Sequence, residues 1–337
     1  MARRGRGISV VITCHNLERF IGEAIESVLA QDFGEPVQIV VVDDCSTDGS
    51  AGIIAGYGGV SHVRTDRNGG VLLATIAGIE AAEGELIFFL DGDDLWEPGK
   101  LSACVPRFRE DQRLAFLTHD LLYIDEQGRA LDRTTRPGDE FAGLAPDVAG
   151  ERVREGILTL GDFVWLGSAF GIHRLRARIE EFCAWARQLP DPANTYQDWP
   201  LAYWVAARSD VTLGHVPQKL FRYRLHGANF SGDATSVAKA SRNLRRTRNT
   251  SAAMAAIARD RGLAPHLRMR AERQTRFYDY LLSLYAGARA RAGLGFAGSF
   301  PYLIARPALF AKELVRFAGV QLLGAEAFIR LSKRGLS

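Results

Sequence analysis

Over the first hundred residues, short continuous apolar runs alternate with segments whose apolar residues recur at helical spacing, the pattern of a sheet covered by helices. Ile8 to Ile12 and Val37 to Val42 are apolar runs rich in β-branched residues, interrupted only by Ser9 and Gln38, as expected of strands buried on both faces. Between them, Ile21, Ile25, Val28 and Leu29 recur on one helical face. Val60 to Val63 predicts a third strand, Val71 to Ala82 a helix, and Leu86 to Leu90 a fourth strand. The order β-α-β-α-β-α-β predicts an α/β, Rossmann-like mixed sheet flanked by helices. After Leu114 the pattern is mixed, with a hairpin expected around Glu126-Gln127-Gly128 and an irregular stretch from Pro137 to Gly150. From about Ser236 the chain reads as a mostly helical extension, whose last part puts Phe310, Leu314 and Phe317 on one face. No internal repeat and no low-complexity linker is present.

Each predicted strand runs into a polar loop: Thr13-Cys14-His15-Asn16, Asp43-Asp44-Cys45-Ser46-Thr47-Asp48-Gly49, and Asp91-Gly92-Asp93-Asp94. In open α/β sheets ligands bind beyond the carboxyl ends of strands, so these loops are expected to line one crevice.

Composition narrows the class of protein without naming it. With 337 residues, 47% apolar and 24% charged, the chain can bury a large core and lies far from disordered or collagen-like composition. Four scattered cysteines, Cys14, Cys45, Cys104 and Cys183, form no metal-binding or disulfide framework, and a reduced cytosolic compartment is expected. The basic start, Met1 to Gly7, lacks the apolar stretch of a secretory signal, and no window reaches the roughly 18 apolar residues of a spanning helix. Net charge is only +3, yet between Lys239 and Arg276 eleven Lys and Arg face only Asp260 and Glu272. That stretch reads either as a solvated helix face or as a surface for an anionic partner.

Three carboxylates within Asp91-Gly92-Asp93-Asp94 repel one another, and at a strand end such a cluster suits a bound cation. Oxygen ligands of this kind fit Mg²⁺ or Mn²⁺ bridging a diphosphate. The alternative is a solvated turn capping the helix expected near Pro98. Asp43-Asp44 reads either as a turn cap or as an acceptor for a nucleobase or ribose. Two acidic strand ends beside each other favour the ligand readings.

The runs Ser9 to Asn16, Ile39 to Ser50, Arg67-Asn68-Gly69-Gly70, Ala77 to Ile79 and Gly84 to Asp94 resemble, in order, spacing and strand context, the inverting family 2 glycosyltransferases of GT-A fold. The resemblance implies that Thr13, Asn16 and Glu18 border the nucleotide, that Asp44 binds the base with Asp43 beside it or buried, and that Asn68, Gly70 and Gly92 belong to the donor site. Asp91 and Asp93 match the family's DXD element, Asp93 being the direct metal ligand and Asp94 a supporting or capping residue. Further on, Thr195 to Ala206 resembles the segment that carries the catalytic base, placing Asp198 in that role; its other reading is a helix N-terminal acid. Phe221 to Ser231 resembles the element that closes the site, with His226 reaching metal or diphosphate and Arg222 or Arg224 neutralising phosphate. Trp165, Gly167, Ser168 and Gln197 lie where such enzymes face sugar and acceptor, although Trp165 also reads as core.

Departures from the family pattern fall at Thr13 and His15, at Thr75 and Ile76 where an arginine often holds the donor, and at Gln197 where a glutamate often precedes the base. The resemblance therefore implies a metal-dependent transferase that moves a sugar from a nucleoside diphosphate, UDP-type donor to a hydroxyl of a glycan or lipid-linked glycan. Two alternatives stand beside it: a binding protein of the same fold without turnover, and a sugar nucleotidyltransferase, against which the lack of a glycine-rich basic loop after the first strand counts. Residues 1–232 are expected to form the catalytic domain, its donor half about 1–110 and its acceptor half about 111–232, and residues 233–337 a helical region. That region reads as packing, as a homodimer contact, or as a peripheral contact with the anionic inner face of a membrane, packing being favoured because helices gain most stability that way. A nucleic acid partner is not expected.

Overall fold

The computed structural model describes residues 7–132, 145–159, 167–227, 236–304 and 307–334. Its contacts divide the chain into two compact units, Met1–Ala193 with Gln197–His226, and Asn194–Tyr196 with Gly227–Ser337.

The first unit is built on one eight-stranded sheet in the order β3-β2-β1-β4-β7-β6-β8-β5. Its parallel half consists of β1 (Ile8–Cys14), β2 (Val37–Asp43), β3 (Val60–Arg64) and β4 (Leu86–Asp91), the four strands expected from the apolar runs. Val10, Val11, Ile12, Val40, Val41, Val42, Ile87 and Phe88 are fully buried, as a strand covered on both faces requires. Helices α1 (Ile21–Leu29), α2 (Ser50–Ala55) and α3 (Val71–Ala81) connect these strands. The short β5 (Leu95–Trp96) and α4 (Lys100–Glu110) follow β4.

Three further strands complete the sheet: β6 (Leu114–Ile124), β7 (Phe170–His173) and β8 (Thr212–Arg224). β7 runs antiparallel between β4 and β6, β8 runs parallel to β6, and β5 runs antiparallel to β8. The β6–β8 ladder shifts register near Phe116, between His119 and Asp120, and after Asp120, so the long strands lack the clean alternation that would advertise them in sequence. The turn expected around Glu126 to Gly128 is present: Asp125 accepts from the N–H groups of Gln127 and Arg129, and Ile124 bridges to Ala130. Helices α5 (Pro146–Leu158), α6 (Arg174–Ala177), α7 (Ile179–Ala186) and α8 (Asp198–Ala206) make up the rest of this unit.

The second unit is helical, with α9 (Val237–Asp260), α10 (Pro265–Tyr285), α11 (Arg289–Gly298), α12 (Phe300–Leu303), α13 (Pro307–Leu323) and α14 (Ala325–Arg334). Ser236 caps α9 by accepting from the Lys239 N–H. The unit has its own core of Phe277, Tyr280, Leu281, Leu284, Phe296, Leu303 and Val320. Phe296 stacks on Phe317 with ring centroids 4.8 Å apart. Phe310 and Phe317 pack against this core, but Leu314 is 49% exposed, so the single apolar face expected for 310, 314 and 317 is divided between core and solvent. Among the described residues no helix is long and apolar enough to cross a membrane.

Candidate active site

Strand register assembles the site. The parallel ladder sets Cys14 opposite Asp43 and Thr13 opposite Asp91, so the polar loops after β1, β2 and β4 lie side by side at one sheet edge.

In the half formed by β1 and β2, Asp44 is an anchor. Its Oδ1 accepts from the Gly69 N–H at 2.8 Å and the Thr65 hydroxyl at 2.9 Å, and its Oδ2 accepts from the Gly70 N–H at 2.8 Å. Gly70 sits at φ +79°, where a Cβ would also lie 2.1 Å from the Ala193 carbonyl oxygen, so no side chain fits there. His15 Nδ1 is 2.7 Å from the Asp44 carbonyl oxygen and must carry the ring proton, leaving Nε2 to accept from Asn68 at 2.9 Å and Asn16 at 3.3 Å. Asn16, at φ +55°, accepts from the Thr47 N–H through Oδ1, and the Glu18 carboxylate accepts from the Gly49 N–H at 2.7 Å. Asp43 is wholly buried, accepting from the Ser46 N–H and pairing with Arg64 at 2.9 Å.

The half formed by β4 concentrates carboxylates. Gly92 donates its N–H to Thr13 O, and the Thr13 hydroxyl donates to Asp91 Oδ1 at 3.2 Å. Gln197 Nε2 reaches the same oxygen at 3.4 Å. Gly167 leaves room for this contact, since a Cβ there would come within 2.5 Å of Gln197 Nε2 and 3.1 Å of Asp91. Burial, reinforced by the neighbouring Asp93 charge, pushes the Asp91 carboxyl up to about 7. Asp93 keeps 20% of its side chain exposed, and His226 Nε2 lies 3.0 Å from its Oδ2. Asp198, in the first turn of α8, accepts from the Trp199 N–H, yet burial and the Asp91 charge push its carboxyl up to about 7. Among the described residues no three His, Cys, Asp or Glu side chains are arranged to enclose a metal ion.

Several expected residues make contacts within the protein. Ser168 is fully buried: its hydroxyl donates to Asp94 Oδ2 at 2.7 Å and accepts from the Asp91 N–H at 2.9 Å, and its carbonyl accepts from Lys100 Nζ at 2.7 Å. Arg222 pairs with Glu97 at 2.5 Å. Arg224 is a buried clamp, donating from its side chain to Asp93 O, Glu126 O and Glu23 Oε2 while its N–H donates to Asp94 Oδ1. In both arginines the guanidinium is held by protein acceptors, although the Arg222 side chain stays 40% exposed. Thr75 and Ile76 are buried in α3. Trp165 and Asn229 to Ser231 lie outside the described residues.

The sequence reading passed over Lys100, whose amine is fully buried 4.1 Å from the Trp96 ring centroid and is pushed down to about 7 by burial. It also passed over Thr65, Arg64 and Glu23 as partners. A lysine six residues after an acidic cluster was the available signal for Lys100; its burial was not legible.

A Rossmann-like sheet in which β2 and β4, on either side of β1, end in a loop-anchoring aspartate and a carboxylate cluster is the architecture of a GT-A transferase. The chain resembles, with a TM-score of 0.58 and 16% identity over 87% of this chain and 81% of the other, the Staphylococcus aureus TarS 1–349 structure solved with UDP-GlcNAc. The family model described as glycosyl transferase family 2 matches residues 9–144. An uncharacterized glycosyltransferase of Nostoc sp., alr2836, is 31% identical over 240 residues, 68% of each chain. The succinoglycan biosynthesis protein ExoO of Rhizobium meliloti is 40% identical over 102 residues, 30% of this chain and 29% of that protein. The putative teichuronic acid biosynthesis glycosyltransferase TuaG of Bacillus subtilis is 30% identical over 130 residues, 37% of this chain and 51% of that protein. The chain thus spans only about a third to a half of these last two relatives. It belongs to glycosyltransferase family 2 and is a transferase.

Proposed function

We propose that this enzyme transfers a sugar, with inversion, from a UDP-type nucleoside diphosphate donor to a hydroxyl of a glycan or lipid-linked glycan during assembly of a cell-surface polysaccharide. The observation that carries the reading is the meeting of Asp91, Asp93 with His226, and Asp198 in one unit around the end of β4. The UDP-GlcNAc bound by the fold-similar TarS supports the donor class, and the names of ExoO and TuaG support the acceptor class. The four cysteines, all free, support a reducing, cytoplasmic setting.

The acidic loop fits a divalent cation. Burial first, and the Asp93 charge after it, push both Asp91 and Asp94 up, and a cation beside them would offset both effects. Mg²⁺-type sites take one or two carboxylates and complete their shell with water and substrate phosphate, so Asp93 and Asp91 would hold the ion without an enclosing set of three side chains, with His226 placed against Asp93. When bound, Mg²⁺ or Mn²⁺ would neutralise charge on the departing diphosphate. Asp198 takes the proton of the acceptor hydroxyl as its oxygen bonds to the anomeric carbon and the bond from that carbon to the diphosphate breaks. A carboxyl held near neutrality is suited to that task. The loop tied to Asp44, with His15, Asn16 and Asn68, borders the nucleotide. Its backbone is fixed before donor arrives, which lowers the ordering cost of binding.

The test is release of nucleoside diphosphate from a panel of UDP-sugars, with and without Mn²⁺, by wild type and Asp93→Ala. Cation-dependent release lost in the variant is expected. Release unaffected by the substitution would remove the assigned metal role.

A further inference from the structure

The chain's modest net charge conceals a division between its two units. Residues 1–226 hold 23 Lys and Arg against 33 Asp and Glu, whereas residues 227–337 hold 19 against six. A chain of +3 therefore consists of a catalytic unit of −10 and a helical unit of +13. Some of the helical unit's arginines are paired within it, Arg248 with Asp279, Arg259 with Glu272 and Arg316 with Glu313. Arg242, Arg245, Arg268, Arg273 and Arg276 are exposed on α9 and α10, and none makes an ion pair among the described residues.

The same unit leaves large aliphatic side chains in solvent. Leu294 is 78% exposed, Ile304 70%, Val315 67% and Leu322 83%, with Leu314 and Leu323 about half exposed. On α13, Ala311, Val315, Ala318 and Leu322 are all exposed at positions i, i+4, i+7 and i+11, one continuous stripe, with Lys312 exposed beside it. The unit's core is already filled by Phe277, Tyr280, Phe296 and their neighbours, so these residues are surplus to folding.

We propose that the helical unit docks on an anionic bilayer surface, with the α13 stripe inserted at the headgroup boundary and the unpaired arginines drawing it there. Charge decides among occupants. A second copy meeting this unit through its own helical unit would bring +13 against +13, and its catalytic unit of −10 offers charge without an apolar layer, while an anionic bilayer offers both. A polar anionic chain would satisfy the arginines and leave Val315 and Leu322 in water. The contact lies on the membrane, since no described helix is long and apolar enough to cross it. This inference rests on the helical unit alone and stands or falls separately from the transferase reading.

The full chain is mixed with phosphatidylglycerol–phosphatidylcholine vesicles and with pure phosphatidylcholine vesicles, then sedimented. Binding at least about tenfold tighter to the anionic vesicles is expected, weakening as salt rises toward 0.5 M because screening shortens the reach of the arginines. Replacing Arg242, Arg245, Arg273 and Arg276 by Gln is expected to remove the preference for anionic lipid. Replacing Val315, Leu322 and Leu323 by Ser is expected to remove the binding that survives high salt. In both variants, an unchanged far-UV circular dichroism spectrum and Tm report that the chain is intact. Equal binding to both vesicle types, or variants that bind like wild type, would overturn the proposal. So would an oligomer in sedimentation velocity that the Ser substitutions dissolve while vesicles bind nothing.

Discussion

The Ser168 hydroxyl donates to Asp94 Oδ2 at 2.7 Å, and through this bond a wholly buried carboxyl is held beneath the acidic loop. The same oxygen accepts from the Asp91 N–H, and the Ser168 carbonyl takes the Lys100 amine, so one serine joins three groups that burial would otherwise isolate. Ser168→Ala should leave Asp94 and the Asp91 N–H each short of a partner, at a cost of about 1–3 kcal/mol. The expected outcome is a lowered Tm together with a reduced kcat for donor turnover, read by calorimetry and by diphosphate release. A variant with unchanged Tm and kcat would show that the loop does not depend on this hub.

Asp93 works in the opposite sense. Its charge pushes both Asp91 and Asp94 up, so removing it relieves repulsion inside a crowded cluster. Asp93→Asn is therefore expected to leave Tm unchanged or raised at pH 8 while lowering cation-dependent turnover by about 100-fold or more, as loss of a charge-stabilising group typically does. A Mn²⁺ titration of diphosphate release measures it. His226→Ala should weaken the Mn²⁺ response less severely, and it should also lower Tm, because the imidazole packs 4.7 Å from the Phe20 ring.

The parallel half of the sheet was legible because β1, β2 and β4 are short, mostly apolar runs with no competing helical period, and each ends in an obvious polar loop. The carboxylates at those ends were legible for the same reason. Partners distant in sequence were not. Arg224 reads as a free cation beside His226, yet its guanidinium is caged by Glu23 and two carbonyls from elsewhere in the chain. Ser168 reads as a site residue because it neighbours the site, but only the fold shows that it faces the core. β6 and β8 escaped notice because bulges and residues such as Gly214 and Pro217 break their alternation.

Gly70 and Asp44 should be separable. Gly70→Ala forces a Cβ onto the Ala193 carbonyl at a positive φ, so it is expected to destabilise the first unit by more than about 1 kcal/mol and to lower donor affinity through the displaced loop. Asp44→Asn keeps the shape but loses charge-assisted bonds to two N–H groups, each worth about 1.5–3 kcal/mol. Titration with UDP, followed by intrinsic fluorescence or calorimetry, should show weaker binding in both. Unaltered UDP affinity in Asp44→Asn would detach this loop from the donor site.

Asp198 joins activity and stability through one proton. Its carboxyl is pushed up to about 7 in the folded chain, against about 3.9 for an unfolded aspartate. Between those values the folded state holds a proton that the unfolded state has released, so stability contributed by this group is full below about pH 4 and falls as pH rises toward about 7. The base, in contrast, works only when ionised. In wild type, kcat/KM should therefore drop about tenfold per unit below pH 7, in the same interval in which the fold gains stability. Asp198→Asn has no proton to exchange: its turnover should be lower by about 100-fold or more and lack this pH dependence, and its Tm should match wild type near pH 4 and exceed it by a margin that grows as pH rises toward about 7. Parallel Tm profiles for the two proteins from pH 5 to 8 would show that Asp198 is ionised in the fold throughout, and would remove its elevated proton affinity from the account of the base.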